Sequence, residues 1–207
     1  MSLADGVQRY LKALASDAPA PGGGSATALV GALGAALNCM VANFTVGKAN
    51  YAHVEDEIKG VLDECQKLRQ ELFVLMAADE EAYGKVAAAY KLPKETDEQK
   101  AERANAVQAA LKSAAQVPLR VAQCCRRVLE LAEPLVEKGN ENLISDAGVA
   151  AQLAHAGLNA SWLNVEINLR SIKDEAFNSE KRQELARLAE GADDVLARAW
   201  EKMLGRM

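Results

Sequence analysis

The sequence predicts an all-α fold: a single-domain helical bundle of about six to seven helices with a central helix of small residues. Apolar residues recur at helical spacing along nearly the whole chain. No window of the sequence shows the alternation of β-branched residues that is typical of a strand. A chain of 207 residues is long enough to bury one core. We therefore expect residues 1–207 to form one domain.

The first two predicted helices flank a glycine-rich loop. The first helix, residues 2–16, carries an apolar stripe at helical spacing, formed by Leu3, Val7, Tyr10, Leu11 and Leu14. The stretch DAPAPGGGS stops this helix. We expect the second helix to begin at Ser25, a good N-cap residue, and to end near Val46, with Gly47 as its terminator.

The second helix is nearly free of bulky side chains. Its small residues include Ala28, Gly31, Gly34 and Ala35. Neighbouring helices can approach such a surface closely, so we expect a central helix that is contacted on several sides and that can cross its own copy in a dimer.

Residues 26–46 are also apolar and about long enough to span a membrane. Because polar residues interrupt the run and its alanines and glycines are only weakly hydrophobic, we favour a buried helix over a membrane span.

Five further helical segments follow the second helix. In order, they are about His53 to Lys91, closed by Pro93; an element capped at Thr96; a companion element after Pro118; about Ser145 to Ile172; and roughly 179–204. Each segment has apolar residues at helical spacing, and proline, glycine and polar stretches separate them.

Charge and cysteine content narrow the classes of function. The net charge of -5, without a clustered basic face, argues against nucleic acid as a partner. No secretory signal peptide opens the sequence, so we expect a cytoplasmic protein. The four cysteines form no CxxC motif, and His53 and His155 complete no ligand pattern with them. We therefore expect free thiols in a reducing compartment and no metal site.

The glycine run Gly22, Gly23 and Gly24 precedes the small-residue helix. It matches neither the GxxxxGK[ST] phosphate loop nor the GxGxxG dinucleotide motif, both of which follow a strand. What remains is a helix N-terminus whose free N–H groups can receive an anion or a developing negative charge. The alternative is a tight turn in which Ser25 acts only as a cap.

Asp79 is the most informative residue for chemistry. Its helical neighbours are all apolar or aromatic: Leu72, Leu75, Met76, Ala82, Tyr83 and Val86. Burial among such side chains raises the pKa of a carboxyl group, which is what a general acid/base at neutral pH requires. The alternative is a structural aspartate that is satisfied by a hydroxyl or amide partner.

Polar groups that could assist Asp79 lie in three places. Ser161, Asn164, Asn168 and Ser171 form a polar line on a predicted helix, where amides could bind a heterocycle or simply pair between helices. The loop GNENLISD places Asn140 and Asp146 at the start of that helix, where a ligand or only a cap could use them. Lys48 follows the end of the second helix, where it could pair with helix carbonyls or hold a substrate carboxylate.

Several segments together resemble the cyclodeaminase family, which comprises the C-terminal domain of formiminotransferase-cyclodeaminase and its free-standing relatives, some of them methenyltetrahydrofolate cyclohydrolases. In order, the segments are PAPGGGSATALVGALGAAL, MVANFTVGK, ADEEAY, GNENLISD and NVEINLRSIKDEAF. The resemblance implies an all-helical, dimer-forming enzyme that binds a tetrahydrofolate derivative as substrate, without metal, nucleotide or tightly bound cofactor. It places the catalytic aspartate of the family on Asp79. Ala77 stands where the bifunctional relatives can carry another aspartate.

The resemblance leaves two reactions open, cyclodeaminase and cyclohydrolase. In either, Asp79 is expected to move the proton. The helix N-terminus at Gly22–Ser25 is expected to bind an anionic group or to polarise the substrate, and Asn164 and Asn168 to hydrogen-bond the pterin. Lys48 is expected to hold the glutamate carboxylates of a folate with one or several glutamates. Since no formiminotransferase domain is recognised in these residues, we expect no channelling within the chain. The alternative class is a non-catalytic folate-binding or scaffold bundle.

Overall fold

The computed structural model describes the backbone of residues 3–207 and the side chains of residues 4–207. Seven α-helices and two short 3-10 helices, Ala49–Val54 and Glu141–Leu143, make up this part of the chain, which contains no strand. The α-helices are α1 (Leu3–Leu14), α2 (Gly23–Asn43), α3 (Glu55–Tyr90), α4 (Asp97–Lys138), α5 (Ile144–Leu169), α6 (Glu175–Ala189) and α7 (Ala192–Leu204). The all-α prediction is confirmed. The predicted start of the first helix at residue 2 lies outside the described residues.

Helix α2 lies at the centre and packs against α3, α4 and α5, as its small residues predict. Gly34 contacts α5 near Ala150, whereas Gly23 lies beside Asn164, so α2 and α5 are antiparallel. The sulfur of Cys125 on α4 fills the space between the two helices. A Cβ added to Gly31 or to Gly157 would come within 2.6 or 2.7 Å of that sulfur, which is too close. The glycines therefore permit the close approach of three helices.

The length and composition of α2 would also allow it to cross a membrane. In the structure, 61% of its apolar window is buried inside the bundle. This burial is the behaviour predicted for a central core helix.

Two predicted divisions between helices are wrong. The break before Pro118 is absent, because α4 runs through Pro118 and Pro134 as one helix of 42 residues. Packing against α3 and α5 holds it together despite the backbone hydrogen bonds that proline removes. The segment predicted at 179–204 is two helices instead. They are separated at Gly191, whose φ of +66° is the left-handed conformation that glycine adopts readily.

The helix caps explain two more outcomes. Thr96 is the N-cap of α4, as predicted. It forms a capping box, in which its hydroxyl accepts a hydrogen bond from the backbone N–H of Gln99. Ser25, however, is not the N-cap of α2. That position is Gly22, in extended conformation and without a side-chain cap. The helix also ends at Asn43, three residues before the predicted end.

Helices α2 and α5 together carry an apolar face that no other part of the described chain covers. Its members on α2 are Ala26, Val30, Leu33, Leu37, Met40 and Phe44, and on α5 Val149, Leu153, Ala156, Ala160, Leu163 and Ile167. All are exposed or partly exposed, up to 71% for Leu163. Val30 and Leu33 on α2 immediately precede Gly31 and Gly34, and Val149 and Ala156 on α5 immediately precede Ala150 and Gly157, which those glycines contact between the two helices. Because the helices are antiparallel, this equal offset places both stripes on the same side.

Candidate active site

A cavity of about 440 Å³ lies where the N-terminus of α2 meets α3, α4 and the C-terminal part of α5. Asp79 of α3 forms part of its wall. Gly22 and Gly23 line the cavity from α2, and Asn164 and Asn168 line it from α5. The structure thus brings together six of the candidate residues, because Ser171, just after α5, also lines the cavity. Aromatic and apolar side chains, including Tyr83, Tyr90 and Ile167, complete the wall.

The Asp79 carboxylate lies on the first turn of α2. Its Oδ2 accepts a hydrogen bond from the Ser25 backbone N–H at 3.1 Å. A Cβ on Gly24 would overlap both carboxylate oxygens, so only glycine leaves room for Asp79 there. The anion at this helix N-terminus is therefore the protein's own carboxylate, held by an N–H group that the helix leaves unpaired. This contact accounts for Gly24 and gives the Ser25 amide a partner.

The surroundings of Asp79 set opposing influences on its pKa. Burial raises the pKa above its ordinary value, the Ser25 N–H lowers it, and the nearby Glu80 charge raises it, with a net increase. The direction agrees with the expectation from the sequence, although the burial is only partial. Of the six helical neighbours of Asp79, Leu72 is fully buried and Tyr83 is exposed, because this part of the helix borders the open cavity.

Ser25 also contacts α1. Its side chain is fully buried, and its hydroxyl accepts a hydrogen bond from Tyr10 at 3.2 Å. Tyr10 thus supports the turn that carries the Asp79 contact. In the sequence Tyr10 is only one member of an apolar stripe, and no local signal distinguishes it from the other members.

The α5 side of the cavity is built from linked amides. The Asn164 Nδ2 donates to Thr27 Oγ1 at 3.1 Å, and the Thr27 hydroxyl donates to the Gly23 carbonyl at 2.7 Å. The Asn168 Nδ2 donates to the backbone carbonyl of Asn164 at 2.8 Å. Ser161 lies outside the cavity, since it is buried and donates to the Gly157 carbonyl. Thr27 was missed in the sequence, where it is one small residue among many.

Lys48, Asn140 and Asp146 lie at the other end of α2. Asn140 donates from Nδ2 to the Phe44 carbonyl at 2.9 Å, and with Lys48 it lines a shallow pocket of about 330 Å³. Asp146 lies in the first turn of α5, at the same end. A helix of 21 residues is about 30 Å long. Within one chain, therefore, the structure does not bring these three residues to Asp79.

Among the described residues, no group of three or more histidine, cysteine or acidic side chains could hold a metal ion. All four cysteines are free and buried. Burial raises the pKa of the Cys65, Cys124 and Cys125 thiols to about 12, so these side chains are protonated at neutral pH.

Comparison with known proteins agrees with this architecture. Residues 6–187 match the model of the formiminotransferase-cyclodeaminase family. The chain is 47% identical to methenyltetrahydrofolate cyclohydrolase of Methylorubrum extorquens, over 97% of each chain. It is 34% identical to formimidoyltransferase-cyclodeaminase of Gallus gallus, over 88% of this chain but 34% of that protein.

A solved structure is similar over nearly the whole chain. The formiminotetrahydrofolate cyclodeaminase of Thermotoga maritima is 35% identical, superimposes with a TM-score of 0.85, and is matched over 99% of this chain and 96% of that one. The chain thus spans nearly the full length of two relatives and about a third of the bifunctional ones. It belongs to the formiminotransferase-cyclodeaminase family.

Proposed function

We propose that this chain is a methenyltetrahydrofolate cyclohydrolase, in which Asp79 moves protons at the reacting carbon. Membership of the family makes it a folate one-carbon enzyme. The identity to the cyclohydrolase of M. extorquens over 97% of both chains favours that reaction. The observation that carries the mechanism is the Asp79 carboxyl, which is fixed at the cavity wall on the α2 N-terminus.

The hydrolysis needs one group that first accepts and then returns a proton. As water adds to the methenyl carbon, Asp79 takes one water proton and a neutral tetrahedral carbon forms. Asp79 then delivers that proton to N5 while the C–N5 bond breaks. The remaining hydroxyl loses its proton to solvent as the carbonyl of 10-formyltetrahydrofolate forms. A carboxyl whose pKa is raised by burial is suited to both steps at neutral pH.

The second candidate is formimidoyltetrahydrofolate cyclodeaminase. The similarity to the T. maritima cyclodeaminase favours it, since that protein is also matched over nearly its whole length. In this reaction N10 attacks the formimidoyl carbon, and a proton delivered to the amino group expels ammonia. The tetrahedral carbon again lies between two folate nitrogens, so Asp79 serves the same purpose.

One assay separates the two reactions. The absorbance of 5,10-methenyltetrahydrofolate falls when a cyclohydrolase acts on it and rises when a cyclodeaminase forms it from the formimidoyl compound. We expect the purified chain to accelerate the first change. Acceleration of the second change alone would assign the cyclodeaminase reaction. Binding of folate without either change would indicate the non-catalytic alternative.

We also propose that the protein is a cytoplasmic homodimer that pairs through the apolar face of α2 and α5. That face is self-complementary, since both helices are long, carry apolar residues at alternating spacings of four and three, and include no charge in the stripe. An antiparallel pairing of each helix with its own copy would place the Lys48 end of one chain beside the Asp79 cavity of the other. Lys48 and Asn140 could then meet the glutamate portion of a folate bound there.

Sedimentation equilibrium tests the dimer. A glutamate in place of Leu33 would be buried without a partner at the proposed interface, so we expect Leu33→Glu to sediment as one chain where the unmodified protein sediments as two. Val74→Glu is the control, because Val74 is also exposed but lies on α3, outside the apolar face. A single-chain mass for the unmodified protein at micromolar concentration would contradict the proposal.

A further inference from the structure

Behind Asn164, which lines the cavity, lies the Thr27 hydroxyl, and the direction of each of its two hydrogen bonds is determined by its partners. Thr27 is 6% exposed and lies in the second turn of α2. The Gly23 carbonyl can only accept, so the single Thr27 hydroxyl proton points to it at 2.7 Å. The oxygen of Thr27 is then available to Asn164 only as an acceptor.

This direction determines how the Asn164 amide is turned. Only the NH₂ group of Asn164 can donate to Thr27 Oγ1, at 3.1 Å, so the Asn164 Oδ1 occupies the opposite side of the amide. A Cβ added to Gly23, which lines the cavity, would lie 3.3 Å from Oδ1. No donor from the described residues forms a hydrogen bond to Oδ1, so it is free to accept one from a ligand.

Asn168 repeats the arrangement one turn further along α5. Its Nδ2 donates to the backbone carbonyl of Asn164, and no donor from the described residues bonds its own Oδ1. Asn164 and Asn168 therefore each turn one amide N–H toward the protein. The α5 side of the cavity therefore offers two amide oxygens without a donor from the described residues, which suits a flat heterocycle with N–H groups on the edge that faces α5.

We propose that Thr27 is a positioning residue that turns the Asn164 amide so that its oxygen faces the cavity and accepts a hydrogen bond from a ligand N–H. This inference rests on the proposed function, in which the ligand is a folate. Without the Thr27 hydroxyl, the Asn164 amide can rotate and present its NH₂ group to a ligand that offers only donors there.

Three substitutions test the role of Thr27 with methenyltetrahydrofolate as the probe. Thr27→Val, which keeps the shape and removes the hydroxyl, is expected to raise KM by about 3- to 10-fold, the effect of one neutral hydrogen bond, with kcat nearly unchanged. Thr27→Ser, which keeps the hydroxyl, is expected to restore the KM. In an Asn164→Ala background, Thr27→Val is expected to add no further effect, because Thr27 acts through Asn164.

A matched control separates positioning from packing. Ser161→Ala removes another buried hydroxyl that donates to a carbonyl four residues earlier, but on α5 and outside the cavity. It is expected to leave KM unchanged. Equal effects of Thr27→Val and Ser161→Ala on KM, or additive effects of Thr27→Val and Asn164→Ala, would overturn the role of Thr27. Lack of turnover by the unmodified protein would instead overturn the proposed function.

A second readout does not depend on folate turnover. The Asn164 side-chain amide signal in a ¹⁵N NMR spectrum is identified by its loss in Asn164→Ala. We expect Thr27→Val to move this signal and to speed its exchange with solvent, and Thr27→Ser to preserve both properties. An Asn164 signal that is unchanged in Thr27→Val would overturn the inference, whatever the enzyme assay shows.

Discussion

Gly24→Ala is the smallest change that separates Asp79 from the α2 N-terminus. The added Cβ would overlap both oxygens of the Asp79 carboxylate, and the backbone of the first helical turn cannot move away without disturbing the Ser25 contact. The carboxylate is at the edge of an open cavity, so we expect it to swing toward solvent. It would then lose the Ser25 hydrogen bond and move by more than 1 Å.

The size of the effect follows from this displacement. Misplacing a catalytic group by about 1 Å can lower the rate about 10²-fold, and we expect a fall in kcat of that order. Loss of one hydrogen bond to a charged group costs at most about 3 kcal/mol, and renewed hydration of the carboxylate offsets part of it, so the protein should remain folded. The pKa of Asp79 should also fall toward its ordinary value, because burial is what raises it.

The assay is the decay of methenyltetrahydrofolate absorbance across a pH series, for Gly24→Ala beside Gly84→Ala. Gly84 lies five residues from Asp79 on the same helix, and a Cβ there would contact nothing within 4 Å. We expect Gly84→Ala to keep the wild-type rate, and Gly24→Ala to be slow, with the acidic limb of its rate profile at lower pH. A Gly24→Ala variant with unchanged kcat and pH profile would refute the reasoning.

Three further predictions concern stability and reactivity. The pKa of Asp79 is raised in the folded state, so its carboxyl contributes stability at low pH that is lost as pH rises through that pKa. In urea unfolding, the free energy of unfolding of Asp79→Asn should therefore exceed that of the unmodified protein by more at pH 7 than at pH 3.5. An equal difference at both pH values would contradict this. Gly31→Ala should lower the free energy of unfolding by about 1–3 kcal/mol, because the added Cβ overlaps the Cys125 sulfur. Adding Cys125→Ala should restore part of this loss. Gly60→Ala, whose Cβ would meet no neighbour, should cause no loss of stability. A disulfide reagent should label the four buried cysteines only after unfolding, and rapid labelling of the native protein would show that they are accessible.

Helical periodicity was sufficient to predict the fold class, because the helices from α2 to α7 contribute apolar residues at helical spacing to one core, although α1 leaves Val7 and Leu11 exposed. It was insufficient for the boundaries. Pro118 usually ends a helix, yet tertiary packing on both sides keeps α4 continuous. Gly191 looks like any other small residue in the sequence, and only its positive φ shows that the chain turns there.

The sequence predicted those site residues whose own type and near neighbours are unusual, and it did not predict contacts between residues far apart in the chain. Asp79 is a carboxyl among apolar neighbours, and its raised pKa follows from local spacing. Its contact with the Ser25 amide joins residues 54 positions apart, so no local pattern reveals that Gly24 exists to admit a carboxylate. Lys48 is a cation near the C-terminal end of α2, but its separation from Asp79 depends on the packing of α3, which places Asp79 at the opposite end of α2.

The central claim is that Asp79 moves the proton in the reaction, and the turnover of Asp79→Asn tests it most directly. The amide keeps the shape of the side chain but cannot exchange a proton, so kcat for methenyltetrahydrofolate should fall by about 10²- to 10⁴-fold. Glu81→Gln, which neutralises an exposed carboxylate two residues further along α3, should stay near the wild-type rate. A folded Asp79→Asn variant that turns over substrate at nearly the wild-type kcat would contradict the account.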